Sequence, residues 1–322
     1  MTDQIDDFAP ADANKLPRYA GIGSFMRCRV IAMNEAHGAD IGIVGIPFDL
    51  GTTFRPGSRF APASIREASR ILRQFNGHTG VNPFQIAKIA DLGDVGSHPL
   101  LFDESHNTIA VAFRALKDNA VRPLVFGGDH SISLPVLRGL AHDEPVGLIL
   151  FDAHSDTTDA VRGFKYGHAS PFRRAVEEGL LDPKRSVQIG LRSQLGIADE
   201  YKWARDQGMT LITMDDFDSL GRDRVIAEIG SVVGEGPTYL SFDIDGLDPV
   251  YCPGTGVPEP GGFTMRDALV MIRGIAGVDL VGADIVEVSP AHDHGNITSM
   301  HAANLAFEIL CLMATNAQVG KK

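Results

Sequence analysis

The stretch VGLILFDAHSD, residues 146–156, joins a wholly apolar run to acidic and imidazole side chains. Such a short apolar run is typical of a strand buried on both faces, as in a parallel sheet covered by helices. Asp152, His154 and Asp156 follow at alternate positions, and alternate residues of an extended chain point the same way. The stretch therefore predicts a core strand with two carboxylates and an imidazole at its carboxyl end.

Seven further apolar runs surround this one and alternate with amphipathic helical stretches. They are IGIVGI (41–46), IAKIADL (86–92), PLVFGG (123–128), SVQIGL (186–191), TLITM (210–214), TYLSFDID (238–245) and LVGADIVEV (280–288). Strands alternating with helices predict a parallel sheet, here of eight strands. Periodicity does not separate an open doubly wound sheet from a closed barrel, but both place ligands beyond the carboxyl ends of the strands.

Composition limits the partners and the compartment. No low-complexity linker or repeat interrupts the chain, so we predict one domain over residues 1–322, with 1–38 as a polar N-terminal extension. The net charge of −12 argues against nucleic acid as a partner, and no apolar run reaches the length of a membrane span. Three scattered cysteines and the acidic start MTDQIDDFAP predict a cytoplasmic protein.

Two other strand ends carry the same kinds of side chain. The third predicted strand continues as GGDHS, and the seventh reads TYLSFDIDGLDP. Together with the first stretch they supply these candidate metal ligands: His130, Asp152, His154, Asp156, Asp243 and Asp245. Four converging carboxylates repel each other unless cations lie between them, and two divalent ions would balance their charge. Oxygen ligands with a few imidazoles favour manganese, with nickel or cobalt as alternatives.

The chain resembles the ureohydrolase family over nearly its whole length, and agmatinases and guanidino-acid hydrolases most of all. GGDHS, DAHSD and SFDIDGLDP match the three signature segments of that family, and RPGSRFAP, FRRAVEEGLLD, PGTGVPEPGG and EVSP extend the match. The resemblance implies a three-layer αβα arginase-like fold with an eight-stranded parallel sheet, usually in a homotrimer or homohexamer. The barrel alternative recedes on that ground only.

The resemblance also implies two manganese ions and a reaction that splits a small guanidino compound into urea and an amine. One ion would be held by His130, Asp152, Asp156 and Asp243, and the other by Asp152, His154, Asp243 and Asp245. Asp152 and Asp243 would then bridge the ions. A water shared by two divalent ions has a lowered pKa, so a bridging hydroxide would attack the guanidinium carbon.

Four positions complete the implied active site. Asp156 would also orient the hydroxide, and Glu287 matches the family glutamate that pairs with the guanidinium. His168 matches a histidine that shuttles protons or positions substrate, although Ala169 stands where the family usually has glycine, which could shift the loop. Arg162 lies midway between Asp156 and His168, and a guanidinium there would favour a guanidino acid such as guanidinobutyrate over agmatine. The alternative is that Arg162 points to solvent.

The same residues leave two alternatives open and disfavour two others. A hydrolase of another amidine, such as formimidoyl-glutamate, and a catalytically silent family subunit both remain, although no ligand is missing. A deacetylase-like enzyme is disfavoured by the six-ligand set, and a dinucleotide-binding dehydrogenase by GIPFDLGTTFRPG, which lacks the glycine fingerprint. His292 and His294 are interpreted as structural or pocket-forming residues, and Cys252 as a buried, inert thiol.

Overall fold

Nine strands form one parallel sheet in the computed structural model, which describes residues 7–192, 194–196 and 199–319. The strands are β1 Arg29–Val30, β2 Ile41–Gly45, β3 Ile89–Asp94, β4 Arg122–Phe126, β5 Val146–Phe151, β6 Leu181–Leu191, β7 Thr210–Thr213, β8 Thr238–Asp243 and β9 Leu280–Val286. Their order across the sheet is β1-β3-β2-β4-β9-β8-β5-β6-β7. The sheet is open, with β1 and β7 at its edges, so the barrel alternative is wrong.

Helices cover both faces of this sheet. In the described ranges they are α1 Ala61–Ser69, α2 Pro83–Ile86, α3 Phe102–Asp118, α4 Ser133–Leu140, α5 Pro171–Glu177, α6 Lys202–Gln207, α7 Met214–Leu220, α8 Arg222–Val233, α9 Met265–Gly274 and α10 Ile297–Val319. Alternate residues of β5 enter different cores: Ile149 and Phe151 pack on one face, and Leu148 and Leu150 on the other. Because both faces are buried, β5 is apolar at every position, and the predicted three-layer αβα arrangement is confirmed.

The predicted strand count of eight is one too few. β1 has two exposed residues, and it pairs through its backbone with Ala90 and Asp91 of β3. β1 lies within residues 1–38, which were predicted to be a polar extension. That segment also buries Phe25 and Cys28 in the core, with 0 % and 3 % of their surface exposed. A two-residue strand has no alternation to detect, so hydrophobic periodicity could not reveal it.

The last helix corrects the expectation that no apolar run reaches the length of a membrane span. Residues 297–317 of α10 are long and apolar enough to cross a membrane, with a mean hydropathy of 1.4. However, 78 % of the apolar window is buried inside the protein. The helix packs against α1, α2, α9 and β9, so its apolar surface is that of a core helix.

Candidate metal centre

The carboxyl ends of β4, β9, β8 and β5, four neighbours at the middle of the sheet, surround the candidate site. His130, Asp152 and Asp243 form one group of three ligand atoms, and Asp152, His154 and Asp245 form a second. Within each group the ligand atoms lie within 4.8 Å of one another. Asp152 belongs to both groups, so the strand ends create two adjacent positions for a cation.

The first group lies around the imidazole of His130, which is fully buried. His130 Nδ1 lies 3.3 Å from Asp152 Oδ2, 3.1 Å from Asp243 Oδ2 and 2.8 Å from Asp156 Oδ2. Asp156 thus joins the first group, as the resemblance implied. Its backbone φ of 51° is unusual for a residue with a side chain, and such conformations concentrate at functional sites.

The second group lies around His154, whose side chain is 25 % exposed. His154 Nδ1 lies 3.5 Å from Asp152 Oδ1 and 3.3 Å from Asp245 Oδ2. On the other side of the ring, His154 Nε2 lies 3.6 Å from Glu259 Oε1. Glu259 was not among the predicted site residues, since it belongs to the segment PGTGVPEPGG, more than 100 positions along the chain from His154.

The side chains converge through tight turns and not through an extended chain. Asp243 ends β8, and Asp245 lies in the 3₁₀ turn that follows. The backbone N–H of Asp245 donates to Asp243 Oδ1 at 2.9 Å. In the same way His154 N–H donates to Asp152 Oδ1 at 2.7 Å. The alternating positions in the sequence therefore predicted that these side chains group together, but the cause is the turn and not an extended chain. One oxygen of each aspartate folds the local backbone, which fixes the orientation of the other.

The glycine pair before His130 is required by close approach. A Cβ atom on Gly128 would lie 1.6 Å from the carbonyl oxygen of Phe48, and one on Gly127 would lie 2.7 Å from Val286 Cγ1. The loop after β4 can therefore pass between the β2 and β9 loops only without side chains at these positions. This passage brings His130 to the carboxylates of β5 and β8.

The electrostatics of the cluster fit bound cations. His130 Nδ1 and Asp152 Oδ2 are buried and make no hydrogen bond of acceptable geometry in the described part of the protein, although three carboxylate oxygens lie within 3.3 Å of Nδ1. Burial, with the charges of Asp245 and Asp152, raises the pKa of Asp243 well above its usual value. Burial alone would lower the pKa of His130, but the neighbouring carboxylates have the larger, opposite effect. The pKa of His130 therefore lies well above its usual value. Divalent ions would remove this repulsion and supply the missing partners.

A buried chain of hydroxyl and carboxyl groups supports His130 from behind. His130 Nε2 lies 2.8 Å from Ser241 Oγ, which donates to Asp284 Oδ1 at 2.6 Å. Asp284 Oδ2 also accepts hydrogen bonds from Tyr239 OH at 2.7 Å and Ser133 Oγ at 2.6 Å. The chain holds a proton on Nε2 and leaves Nδ1 free to bind a metal. Ser241 and Asp284 have the polarity that could have revealed them, since both interrupt apolar strands.

Glu287 and His168 meet beside the metal centre. Glu287 follows β9 with a φ of 62°, is 3 % exposed, and accepts the backbone N–H of His130 at 2.9 Å. Its Oε1 lies 3.2 Å from His168 Nδ1, and His168 Nε2 lies 2.8 Å from Thr53 Oγ1. Burial lowers the pKa of His168, but Glu287 raises it more, to about 9. Ala169 does not take a positive φ, so the replacement of glycine leaves His168 in contact with Glu287.

Asp129 holds the loop against which His168 lies. Its Oδ2 accepts the backbone N–H of Gly51 at 2.7 Å, and Gly51 O accepts the N–H of His168 at 3.2 Å. Burial, with the charge of Glu287, raises the pKa of Asp129 to about 7. The aspartate of GGDHS is therefore a positioning residue, while the histidine beside it faces the cluster.

A pocket of about 160 Å³ contains four of the predicted ligands together with His168 and Glu287. The rest of its lining is Thr53, Ser155, Thr158, Ala169, Glu200 and Val257. Among the described residues no lysine or arginine lines it. Arg162 is exposed, in a turn closed by a bridge between Val161 and Phe164, and is not brought to the pocket. Its role in substrate binding stays a prediction.

The remaining candidates have structural environments. His292 and His294 are exposed, and Asp293 between them accepts the N–H groups of Thr298 and Ser299 in the first turn of α10. Cys252 is fully buried, and burial raises the pKa of its thiol well above the usual value. It is an inert thiol, as predicted.

Comparison with known proteins gives matches along the whole fold. Residues 39–312 match the Arginase family. Over 309 residues the chain is 44 % identical to a guanidinopropionase of Pseudomonas aeruginosa, with 96 % of each chain covered. It is 43 % identical over 306 residues to a guanidinobutyrase of that organism, covering 94 % of this chain and 96 % of the relative. The solved structure of a proclavaminate amidino hydrolase from Streptomyces clavuligerus is similar with a TM-score of 0.89 and 37 % identity, covering 93 % of this chain and 99 % of that one.

Proposed function

The chain belongs to the arginase family, and from this membership we propose that it hydrolyses a short guanidino acid, such as guanidinobutyrate, to urea and an amine over two manganese ions. The broader activity, hydrolysis of linear guanidino compounds, is common to its relatives. One observation carries the proposal: two ligand groups that share Asp152 lie beside Glu287, a buried carboxylate suited to a guanidinium.

The ions would be held by the six ligands of the cluster: His130, Asp152, His154, Asp156, Asp243 and Asp245. The unpartnered His130 Nδ1 and Asp152 Oδ2 support this assignment, and the predominance of carboxylate oxygens favours manganese. When bound, the ions supply Lewis acidity and lower the pKa of water, so that a nucleophile is available near neutral pH. A strong nucleophile is needed because resonance makes the guanidinium carbon a poor electrophile.

Glu287 and His168 would bind and protonate the substrate. The N–H of His130 orients the Glu287 carboxylate, whose charge and planar shape match two guanidinium nitrogens. When water adds to the guanidinium carbon, the bond to the alkylated nitrogen breaks and that nitrogen must gain a proton. His168 has a pKa raised to about 9, so its imidazolium can hold that proton at neutral pH.

The pocket volume of about 160 Å³ supports a short substrate tail. The names of the guanidinopropionase and guanidinobutyrase support an acid tail. A second candidate, agmatine, is favoured by Glu200, a carboxylate of the pocket lining that belongs neither to the six proposed metal ligands nor to the guanidinium site at Glu287. No described lysine or arginine lines the pocket. Glu200 Oε2 also accepts the N–H of Gly196 at 2.7 Å, so its charge is partly used within its own loop.

Urea release from guanidinopropionate, guanidinobutyrate, agmatine and arginine tests the substrate. We expect a guanidino acid to have the highest kcat/KM, and Arg162→Ala to raise KM for the acid. Lys165→Ala is the matched control, since Lys165 is an exposed cation of the same loop. A preference for agmatine that is lost in Glu200→Gln and unchanged in Arg162→Ala would replace the acid by agmatine.

We also propose a cytoplasmic location and a homotrimer or homohexamer, both on the ground of the family resemblance and the sequence. Sedimentation of the purified, manganese-loaded protein tests the assembly. A monomer at micromolar concentration would contradict it.

A further inference from the structure

An arginine-lined cavity of about 290 Å³ lies between the N-terminal segment and the turn after α1. Four of its eleven lining residues are arginines: Arg18, Arg27, Arg70 and Arg73. Gln74 and Asn82 add amide groups, the other five are apolar, and no aspartate or glutamate among the described residues lines the cavity. It shares no lining residue with the catalytic pocket.

This concentration of positive charge is opposite to the charge of the whole chain. Acidic residues outnumber lysine and arginine by 41 to 29, and the net charge is −12. Four arginines around one cavity, with no lining carboxylate in ranges 7–192, 194–196 and 199–319, therefore form a local positive potential on an otherwise negative protein. Such a potential attracts anions to the arginine-lined cavity and not to the acidic catalytic pocket.

The guanidinium groups have donors to spare. In the described part of the chain the side chains of Arg18 and Arg73 have no hydrogen-bonded or ionic partner. Arg27 is 7 % exposed and donates to the carbonyl of Leu16 at 2.8 Å, without a carboxylate partner among the described residues. A guanidinium has five N–H donors, and a buried one is stabilised by an anion.

Arg70 gives the cavity a fixed wall. Its Nε donates to the carbonyl of Arg18 at 2.9 Å and its Nη2 to that of Gly21 at 3.3 Å, which ties the N-terminal segment to the end of α1. Its Nη1 pairs with Glu67, which lies outside the lining. This wall of the cavity is therefore fixed before any ligand arrives.

The backbone on the opposite wall is held in an unfavourable conformation. Met26 and Arg27 have φ values of 48° and 61°, which residues with side chains rarely adopt. The N–H of Met26 donates to Ser69 Oγ at 2.7 Å, and the N–H of Phe25 donates to Asp91 Oδ2 at 2.9 Å. These bonds fix the turn that directs Arg27 into the cavity wall.

We propose that the arginine-lined cavity binds a small, multiply charged oxyanion, of which inorganic phosphate is the simplest representative. Planar guanidinium forks match the oxygens of phosphate in geometry and charge, and several cations favour an anion with more than one charge. The site is independent of the proposed hydrolysis, because its residues do not touch the substrate pocket.

Calorimetric titration of the manganese-loaded protein with sodium phosphate, at constant ionic strength set by sodium chloride, tests the site. Arg18→Ala with Arg73→Ala removes the two unpartnered cations, and Arg266→Ala, at an exposed position of α9 outside the cavity, is the matched control. We expect the double variant to weaken phosphate binding by about tenfold or more, as loss of two charge-assisted contacts should. The wild type and Arg266→Ala should bind alike, even if phosphate also reaches the metal centre.

Equal phosphate affinity in the double variant and the wild type, or no binding by the wild type, would overturn the proposal. Arg18→Gln with Arg73→Gln, checked by circular dichroism, guards against a loss of folding. If the double variant changes sedimentation while phosphate has no effect, carboxylates of a second copy fill the cavity and the proposal is wrong. Urea release is measured separately, so inactivity toward guanidines leaves the binding result interpretable.

Discussion

Replacing Asp284 by asparagine should weaken metal binding through His130. The Asp284 carboxylate accepts three hydrogen bonds, from Ser133, Tyr239 and Ser241. The asparagine amide retains only one acceptor oxygen. Either the Ser241 hydroxyl, or the Ser133 and Tyr239 hydroxyls together, therefore lose their acceptor. Since a hydrogen bond to a charged group contributes about 1.5 to 3 kcal/mol, loss of one or two such bonds should lower the free energy of unfolding by roughly 1.5 to 6 kcal/mol. That is a large part of the stability of an ordinary domain, about 5 to 15 kcal/mol.

The same substitution should also weaken metal binding. Loss of the Ser241 link frees the tautomer of His130, and comparable changes lower metal affinity by about 10- to 100-fold. Thermal unfolding of the metal-free proteins measures stability, and competition with a chelating dye measures manganese affinity. Ser133→Ala is the matched control, because it removes a hydrogen bond to the same carboxylate on the side away from His130. Wild-type manganese affinity in Asp284→Asn, or an equal loss in Ser133→Ala, would refute the reasoning.

Three further outcomes are expected. Asp243→Asn should keep the fold, as judged by circular dichroism, but should slow urea release. The loss should exceed the roughly hundredfold that is typical when a residue supporting a metal ligand is changed. Near-normal turnover would show that the bridging role is wrong. Exhaustive chelation should abolish activity and manganese should restore it, with close to two ions per chain by metal analysis; full activity after chelation contradicts the metal centre. Because the pKa of His168 is raised to about 9, its imidazolium predominates below that pH and is lost above it, so kcat/KM should decline above pH about 9 in the wild type. His168→Asn should lower kcat/KM and abolish this alkaline limb, and an unchanged limb would assign it to another group.

Much of the sheet was predictable because its strands are buried on both faces. The central strands are mostly apolar runs that stop where polar side chains begin, and this contrast is visible without any tertiary information. β1 was missed because its pairing with β3 uses backbone groups only, and its two side chains are exposed. The burial of Phe25 in the same segment likewise depends on a distant partner, Asp91.

The candidate site was likewise predictable only in part. His130 and Asp152 were found because they follow apolar strands, and the carboxyl ends of parallel strands meet at one edge. Glu259 and Thr53 belong to polar loops, where nothing in the local sequence distinguishes a residue that faces a metal ligand from one that faces solvent. Arg162 shows the limit, since a loop position between two site residues does not determine where its side chain points.

The strand order has a consequence for synthesis on the ribosome. β9 is the last strand made, yet it lies between β4 and β8 at the centre of the sheet. Until it emerges, the half of the sheet that carries His130 and the half that carries the aspartates have no shared neighbour. Nascent chains that stop before β9 should therefore expose apolar strand edges and require chaperones, and the ligand group that joins His130 to Asp152 and Asp243 can be assembled only after the final strand is inserted.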